Sequence, residues 1–260
     1  MKRPVLVVLS ALMIAGSVAS TARAAGKAAG NERPVLIVAD EIPAMQVLAR
    51  QLSERAHATA TIVKQPELPA DLTPFAAVMV YVHGDLGEAT EKAALAYARA
   101  GGKLIVLHHS ISSKKRKNDA WLPALGVTLP TVDYDVGGYK YFDNVAWELV
   151  NLAPQHPALR GVKFPDSVEY RDGRKHPALP LASTEIYLNH VLDGPRTVLL
   201  GLRWTDPKTG RLYLQDTAAW TRPLGKGEVW YFMPGHKATD FDEPAYAQLL
   251  ANAITVKGGR

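Results

Sequence analysis

Continuous apolar runs that alternate with helical patterns constrain the fold of this 260-residue chain most strongly. Val35–Ala39 is apolar at every position and contains β-branched residues, which is typical of a parallel strand covered on both faces. A helical pattern of apolar residues follows Pro43, and Ala60–Val63 then indicates a second strand. Strands that alternate with helices in this way favour a doubly wound α/β sheet with right-handed crossovers.

The same alternation continues before the pattern becomes less regular. Residues 76–82 indicate a third strand, 88–100 a helix closed by two glycines, and 104–107 a fourth strand. Residues 111–180 are less periodic and are expected to supply loops and antiparallel additions. We therefore predict a single, mostly parallel, flavodoxin-like sheet with antiparallel additions in its second half. The later candidate elements are strands at 147–150, 197–202, 218–221 and 228–233 and a closing helix at 243–254.

Three histidines follow strand-like runs. His108 and His109 come directly after 104–107, and His236 follows 228–233. Catalytic groups in open α/β sheets gather beyond the carboxyl ends of the strands, so neighbouring strands would place these imidazoles on the rim of one pocket. Adjacent residues of a strand point in opposite directions, so we expect only one of His108 and His109 to face the cleft.

These histidines are the candidate acid-base groups, because an imidazole with a pKa of about 6.5 exchanges protons near neutral pH. The alternative is that His108, His109 and His236 cap carbonyls or satisfy a buried polar network. Glu185, an isolated acid between apolar neighbours, is the candidate that orients an imidazole or joins a metal shell. Its alternative partner is an arginine such as Arg203.

Five other residues are candidates for substrate binding. Asp40 and His83 follow strands where a cleft would lie, although the capping of loops is the favoured explanation for both. Aromatic side chains in the later loops offer large faces that stack on sugar rings, while packing in the core is the alternative. The candidates are Asp40, His83, Trp121, Tyr187 and Trp220.

No cofactor is indicated by a motif, and a divalent metal remains possible. Three imidazoles and an acid suit a catalytic zinc site, but the chain has no helical His-x-x-x-His pair, and adjacent histidines chelate poorly. The chain lacks a Gly-x-Gly-x-x-Gly motif and a P-loop, so no nucleotide site is indicated. Ser110 lacks the Gly-x-Ser-x-Gly context of a serine nucleophile.

The amino-terminal segment and the charge balance restrict the partners. Residues 1–24 resemble a cleaved signal peptide, which predicts a periplasmic or secreted protein with a flexible leader at 25–33 and a single domain at 34–256. Cleavage lowers the formal charge from +5 to +2, which weighs against a nucleic-acid partner. No later apolar run has membrane-spanning length, so no membrane partner is expected after cleavage. The sequence does not indicate an oligomeric state.

Several short motifs occur in a fixed order along residues 34–256. They are Leu104 to Ser110, Trp121 with Leu125-Gly126, His156 to Gly161, Glu185 to Tyr187, Ala219 to Arg222, Gly225 to Tyr231, and Gly235-His236 leading through Asp242 to Ala245. Together they resemble the ThuA-like family of trehalose-utilisation proteins, whose fold is similar to that of class I glutamine amidotransferases.

This resemblance implies a fold and a cleft but excludes one activity. The position of His108 and His109 resembles that of the amidotransferase cysteine nucleophile, and this chain has no cysteine. Glutamine hydrolysis through a thioester is therefore excluded. Many relatives have a histidine after the glycine of the middle loop, where residues 135–140 read Asp-Val-Gly-Gly-Tyr-Lys. This departure weighs against a conventional metal-ligand set.

The resemblance also implies a role in the metabolism of disaccharides or keto-sugars. The leading hypothesis is a periplasmic or secreted sugar-processing enzyme in which His108 or His109 acts with His236 in acid-base chemistry on a small carbohydrate, while Glu185 orients one imidazole. The alternatives are a carbohydrate-binding accessory protein without turnover and a metal-dependent hydrolase.

Overall fold

The computed structural model describes residues 33–256 and Met1. The predicted signal peptide beyond Met1 and the leader up to residue 32 lie outside the described residues. No helix within 33–256 has the length and apolar character needed to cross a bilayer. In chain order the elements are β1 Val35–Ala39, α1 Ile42–Ala56, β2 Ala60–Val63, β3 Ala77–Tyr81, α2 Glu88–Arg99, β4 Lys103–Leu107, α3 Trp121–Leu125, β5 Val127–Thr128, β6 Lys140–Asn151, β7 Asp166–Glu169, β8 Lys175–Leu188, β9 Val191–Leu192, β10 Thr197–Thr205, β11 Leu212–Leu224, β12 Gly227–Phe232 and α4 Pro244–Thr255.

Ten of the described strands form one mixed sheet in the order β2-β1-β3-β4-β12-β11-β10-β6-β8-β7. The first five neighbours are parallel, in the flavodoxin-like arrangement with β12 in the fifth place. The remaining strands are antiparallel. The predicted α/β fold with antiparallel additions is confirmed, and the antiparallel part is more extensive than the sequence indicated.

The apolar runs form the strands at the centre of the core. Every residue of β1, β3 and β4 is buried, as expected for parallel strands covered on both faces. Helix α1 packs against α4, and α2 packs against α3. Because the strands of the parallel half point the same way, the carboxyl ends of β1, β3, β4 and β12 meet at one edge of the sheet.

The long antiparallel pair β6 and β8 extends well beyond the predicted strand at 147–150. Its register shifts between Phe142 and Val145 and again between Val145 and Trp147. Asn144, inside the first shift, has a φ of 56°. Such irregularities bend a strand and redirect its side chains. At this bend, Asp143, Glu185 and Tyr187 lie at the carboxyl edge of the parallel strands, where they line a cavity with His83 and His236.

Candidate active site

Both histidines of the adjacent pair lie in the site, because the chain turns sharply after β4. His108 has a φ of 47°, a left-handed conformation that is uncommon for a non-glycine residue, and it begins a short 3₁₀ helix, His108–Ile111. The two rings are nearly perpendicular, with centroids 4.9 Å apart. His109 lines the cavity, whereas His108 is completely buried and is not among the cavity-lining residues.

His108 contacts a hydrogen-bonding group at each ring nitrogen. Its Nδ1 lies 2.5 Å from the carbonyl oxygen of Met233, and its Nε2 lies 2.8 Å from Oε2 of Glu185. The hydroxyl of Tyr187 is 3.2 Å from the same Nε2. These contacts fix the ring and leave it no free nitrogen.

His236 lies between two carboxylates. Its Nδ1 is 3.5 Å from Oε2 of Glu185, and its Nε2 is 3.5 Å from Oδ1 of Asp143. Glu185 raises the pKa of His236 above its ordinary value, against the opposing effect of burial. Burial raises the pKa of Glu185, but its contacts with His108 and His236 lower the pKa by more, so the carboxyl is ionised at neutral pH.

Neither ring nitrogen of His109 has a hydrogen-bond partner among the described residues, although only 3% of the residue is exposed. Its ring packs 4.5 Å from that of Tyr81 and 4.6 Å from that of His83, measured between centroids. Burial, reinforced by the neighbouring His108, lowers the pKa of His109 strongly, so its imidazole is neutral. Buried polar groups without partners are uncommon, and this ring presents two nitrogen atoms that nothing in the described residues uses.

The loop after β3 is held from both sides. Asp40 accepts hydrogen bonds from the backbone N–H groups of His83 and Gly84, at 2.9 and 2.6 Å. The ammonium of the fully buried Lys115 donates to the carbonyls of Val82, His83 and Gly84. Burial lowers the pKa of Lys115 to about 8. The position of His83 is therefore fixed by contacts to its own backbone.

A cavity of about 310 Å³ joins these groups at the carboxyl edge of the sheet. A larger cavity of about 510 Å³ at the opposite edge is lined mainly by alanines and glycines and has no comparable set of titratable groups. The carboxyl-edge cavity is therefore the candidate site. Its lining residues are His83, His109, Ser112, Ser113, Lys114, Tyr139, Tyr141, Asp143, Glu185, Tyr187 and His236.

The structure distributes the predicted substrate-binding residues between the cavity, a loop and the core. Tyr187 and His83 line the cavity, whereas Asp40 caps the loop described above. Trp121 and Trp220 are completely buried and do not line the cavity, which corrects the prediction for both. The indole N–H of Trp121 donates to the carbonyl of Ser110 at 2.7 Å. The guanidinium of Arg196 lies over the indole ring of Trp220.

Arg203, the alternative partner considered for Glu185, pairs instead with Glu148 at 3.0 Å. Asp143 and Tyr141 are site residues that the prediction did not include. Asp143 lies within the bend in β6 and Tyr141 lies beyond it, and no periodic signal in the sequence marks that bend. Glu41 was also missed, although it directly follows Asp40 at the end of β1, where the same topological argument applies.

Two groups of three side chains place potential metal-ligand atoms within 4.8 Å of one another. One consists of His108, His109 and His236, and the other of Glu41, His83 and His109. They share His109, whose two ring nitrogens have no hydrogen-bond partner among the described residues.

Comparisons with known proteins agree with this fold. A ThuA-like protein from Parabacteroides merdae is 16% identical, with a TM-score of 0.62 over 85% of this chain and 88% of that chain. A cytoplasmic protein from Salmonella typhimurium is 14% identical, with a TM-score of 0.57 over 85% and 98%. A β-galactosidase from Bacillus circulans is 10% identical, with a TM-score of 0.54 over 84% of this chain and 30% of that chain. At these identities the likeness shows the fold alone.

The sequence comparisons give the family. A search of curated proteins found no match. The family model described as "ThuA: Trehalose utilisation" matches residues 35–255, which include every element from β1 to α4. The chain therefore belongs to the ThuA family, which is associated with trehalose utilisation.

Proposed function

We propose that this protein is an enzyme of disaccharide or keto-sugar metabolism that acts through acid-base chemistry in the carboxyl-edge cavity. The observation that carries this proposal is the position of His236 between the carboxylates of Glu185 and Asp143, at the wall of a cavity. A carboxylate that contacts an imidazole fixes the orientation of the ring and stabilises its protonated form. His236 is thus the group arranged to exchange a proton with a bound molecule.

The proposed chemistry is a proton transfer at a hydroxyl or carbonyl oxygen of the sugar. Protonated His236 donates a proton to a carbonyl oxygen of the sugar, and in the reverse direction the neutral ring takes the proton back from the same oxygen. Glu185 favours the protonated ring, while its contact with buried His108 holds the carboxylate in place. In this scheme His236 contacts the substrate and His108 is a positioning residue.

The remaining cavity walls suit a small polyhydroxylated ligand. Tyr141 is 53% exposed and lines the cavity, so its ring is available to pack on a sugar face. Asp143, Ser112, Ser113 and Lys114 supply acceptors and donors for hydroxyl groups. Tyr141 takes the role that the sequence assigned to the two buried tryptophans. The family's association with trehalose utilisation supports a carbohydrate ligand. The amino-terminal pattern supports a periplasmic or secreted place of action.

The experiment is a screen of the full chain against trehalose, other disaccharides and their keto derivatives, with products followed by NMR and binding by calorimetry. We expect turnover of at least one sugar. In His236→Gln we expect kcat to fall about 100-fold or more, because this is the usual contribution of general acid-base catalysis, while the dissociation constant changes much less. His176→Gln is the matched control, since His176 pairs with Asp172 and does not line the cavity.

Sugar binding without turnover by the wild-type chain would contradict the enzymatic proposal and identify a carbohydrate-binding accessory protein. Turnover that His236→Gln leaves unchanged would contradict the assignment of the acid-base group.

A further inference from the structure

The crevice at the carboxyl ends of β1, β3 and β4 contains a second set of chemically reactive side chains. Glu41 follows β1, His83 follows β3 and His109 follows β4. The chain reverses its strand order between β1 and β3, and ligands of open α/β sheets bind at such switch points. We propose that Glu41, His83 and His109 form a binding site for a divalent first-row transition-metal ion.

The buried imidazole of His109 is the first observation that supports this site. Neither ring nitrogen has a hydrogen-bond partner among the described residues. A potential ligand atom of His109 lies within 4.8 Å of those offered by Glu41 and His83. Neutral imidazole is the form that binds metal ions, and coordination would satisfy a nitrogen that otherwise lacks a partner.

The other two ligands already converge. Nδ1 of His83 lies 2.9 Å from Oε1 of Glu41, and the hydroxyl of Tyr81 lies 3.2 Å from Oε2 of the same carboxylate. The backbone of His83 is fixed by Asp40 and by buried Lys115, as described above. Supporting contacts of this kind orient the ligands of metal sites. Lys115 brings a positive charge to the loop, but three carbonyl oxygens accept from its ammonium group.

The alternative group of three histidines suits a cation less well. Both ring nitrogens of His108 already contact Met233 and Glu185. The proposed site instead contains a carboxylate that offsets part of the charge of the ion.

The donor set indicates the class of metal. Two imidazole nitrogens and one carboxylate resemble the 2-His-1-carboxylate arrangement that binds divalent first-row metals and leaves coordination positions open. His83 and His109 both line the cavity, so an ion held there would be accessible to a bound sugar. Such an ion supplies Lewis acidity that polarises a carbonyl or hydroxyl oxygen. The site extends the proposed function, but metal binding is measurable without any sugar.

The test is titration of the chelator-treated full chain with Zn²⁺ by calorimetry and with Co²⁺ by visible absorption, in the absence of sugar. We expect one ion per chain. Glu41→Gln and His83→Gln are expected to weaken binding about tenfold or more each, because changes around metal sites typically have at least this effect. Both side chains are partly exposed, so these variants should fold, and circular dichroism checks this. His176→Gln is the control outside the cavity.

Absence of saturable one-to-one binding by the wild-type chain would overturn the proposal. Unchanged metal affinity in both Glu41→Gln and His83→Gln would also overturn the proposal. If His236→Gln then lost the ion, the metal would be bound by the group of three histidines instead. Because no sugar is present, these outcomes are independent of whether the protein turns over a carbohydrate.

Discussion

The carboxylate of Glu185 lies 2.8 Å from Nε2 of His108, so a strand of the antiparallel half of the sheet contacts the end of a strand in the parallel half. The other nitrogen of His108 contacts the Met233 carbonyl, which follows β12. His108 thus connects three distant segments of the chain below the cavity, and Glu185 extends this connection to His236.

Removal of the Glu185 charge should change the titration of His236. Glu185 is the largest cause of the raised pKa of His236, with Asp143 and Asp240 contributing less. We therefore expect the pKa of His236 to fall in Glu185→Gln, which NMR of the imidazole resonances measures. The resonances of His176, whose ring lies outside the cavity, are the internal reference. An unchanged His236 titration would show that Glu185 does not control its protonation.

The same substitution should have a pH-dependent effect on stability. The pKa of Glu185 is lowered from 4.5, so its contribution is present above pH 4.5 and is lost as the pH falls towards the folded-state value. The pKa of His236 is raised from 6.5, so its contribution is present below pH 6.5 and is lost as the pH rises through the folded-state value. Urea denaturation should show the largest destabilisation by Glu185→Gln between these limits. A destabilisation that is independent of pH would contradict this interpretation.

Lys115→Met should destabilise the loop that carries His83. The substitution keeps most of the volume of the side chain but leaves the carbonyls of Val82 and Gly84 without their ammonium donor. Each buried carbonyl without a donor costs about 1–3 kcal/mol. Lys117→Met is the control, because Lys117 forms an exposed ion pair with Asp85 and such pairs contribute little to stability. Equal unfolding free energies for the two variants would show that Lys115 is not structural.

Gly235→Ala should disturb the site through His108. Gly235 has a φ of 136°, and a Cβ there would lie 2.8 Å from Cζ of Phe241 and 3.3 Å from Cβ of His108. We expect a loss of more than the roughly 1–3 kcal/mol typical of backbone strain alone, together with a shift of the His108 imidazole resonances. Gly137→Ala is the matched control, since Gly137 also has a positive φ but a Cβ there would have no atom within 4 Å. If both variants lost the same stability and left His108 unshifted, the contact would be unimportant.

Trp121→Phe should lower the stability of the protein, whereas Tyr141→Ala should lower its affinity for sugar. Trp121→Phe removes the donor to the buried carbonyl of Ser110, so we expect a loss of about 1–3 kcal/mol of stability and unchanged sugar affinity. Tyr141 is exposed at the cavity, so Tyr141→Ala should weaken sugar binding with little effect on stability. Thermal denaturation and calorimetry of each variant provide the comparison. Weaker sugar binding in Trp121→Phe alone would show that the tryptophan, and not Tyr141, contributes to ligand binding.

The parallel half of the fold is predictable because its signals are local. The apolar runs at 35–39 and 104–107 form strands that are buried on both faces. Gly101 and Gly102 mark the end of α2, and Gly225 marks the turn before β12. The extent of β6 is not predictable in this way. Its outer half is partly exposed and carries the irregularities around Asn144, so it has neither a continuous apolar run nor a regular alternation.

The sequence by itself determined the parallel strands, the edge at which their loops meet, and therefore the neighbourhood of His109 and His236. Tertiary structure alone decided that Glu185 contacts two histidines, that Asp143 contacts His236, and that the indole of Trp121 lies in the core. The physical reason is that strand formation follows from the periodicity of nearby residues. Contacts between side chains from distant strands instead depend on register shifts and bends that no local pattern encodes.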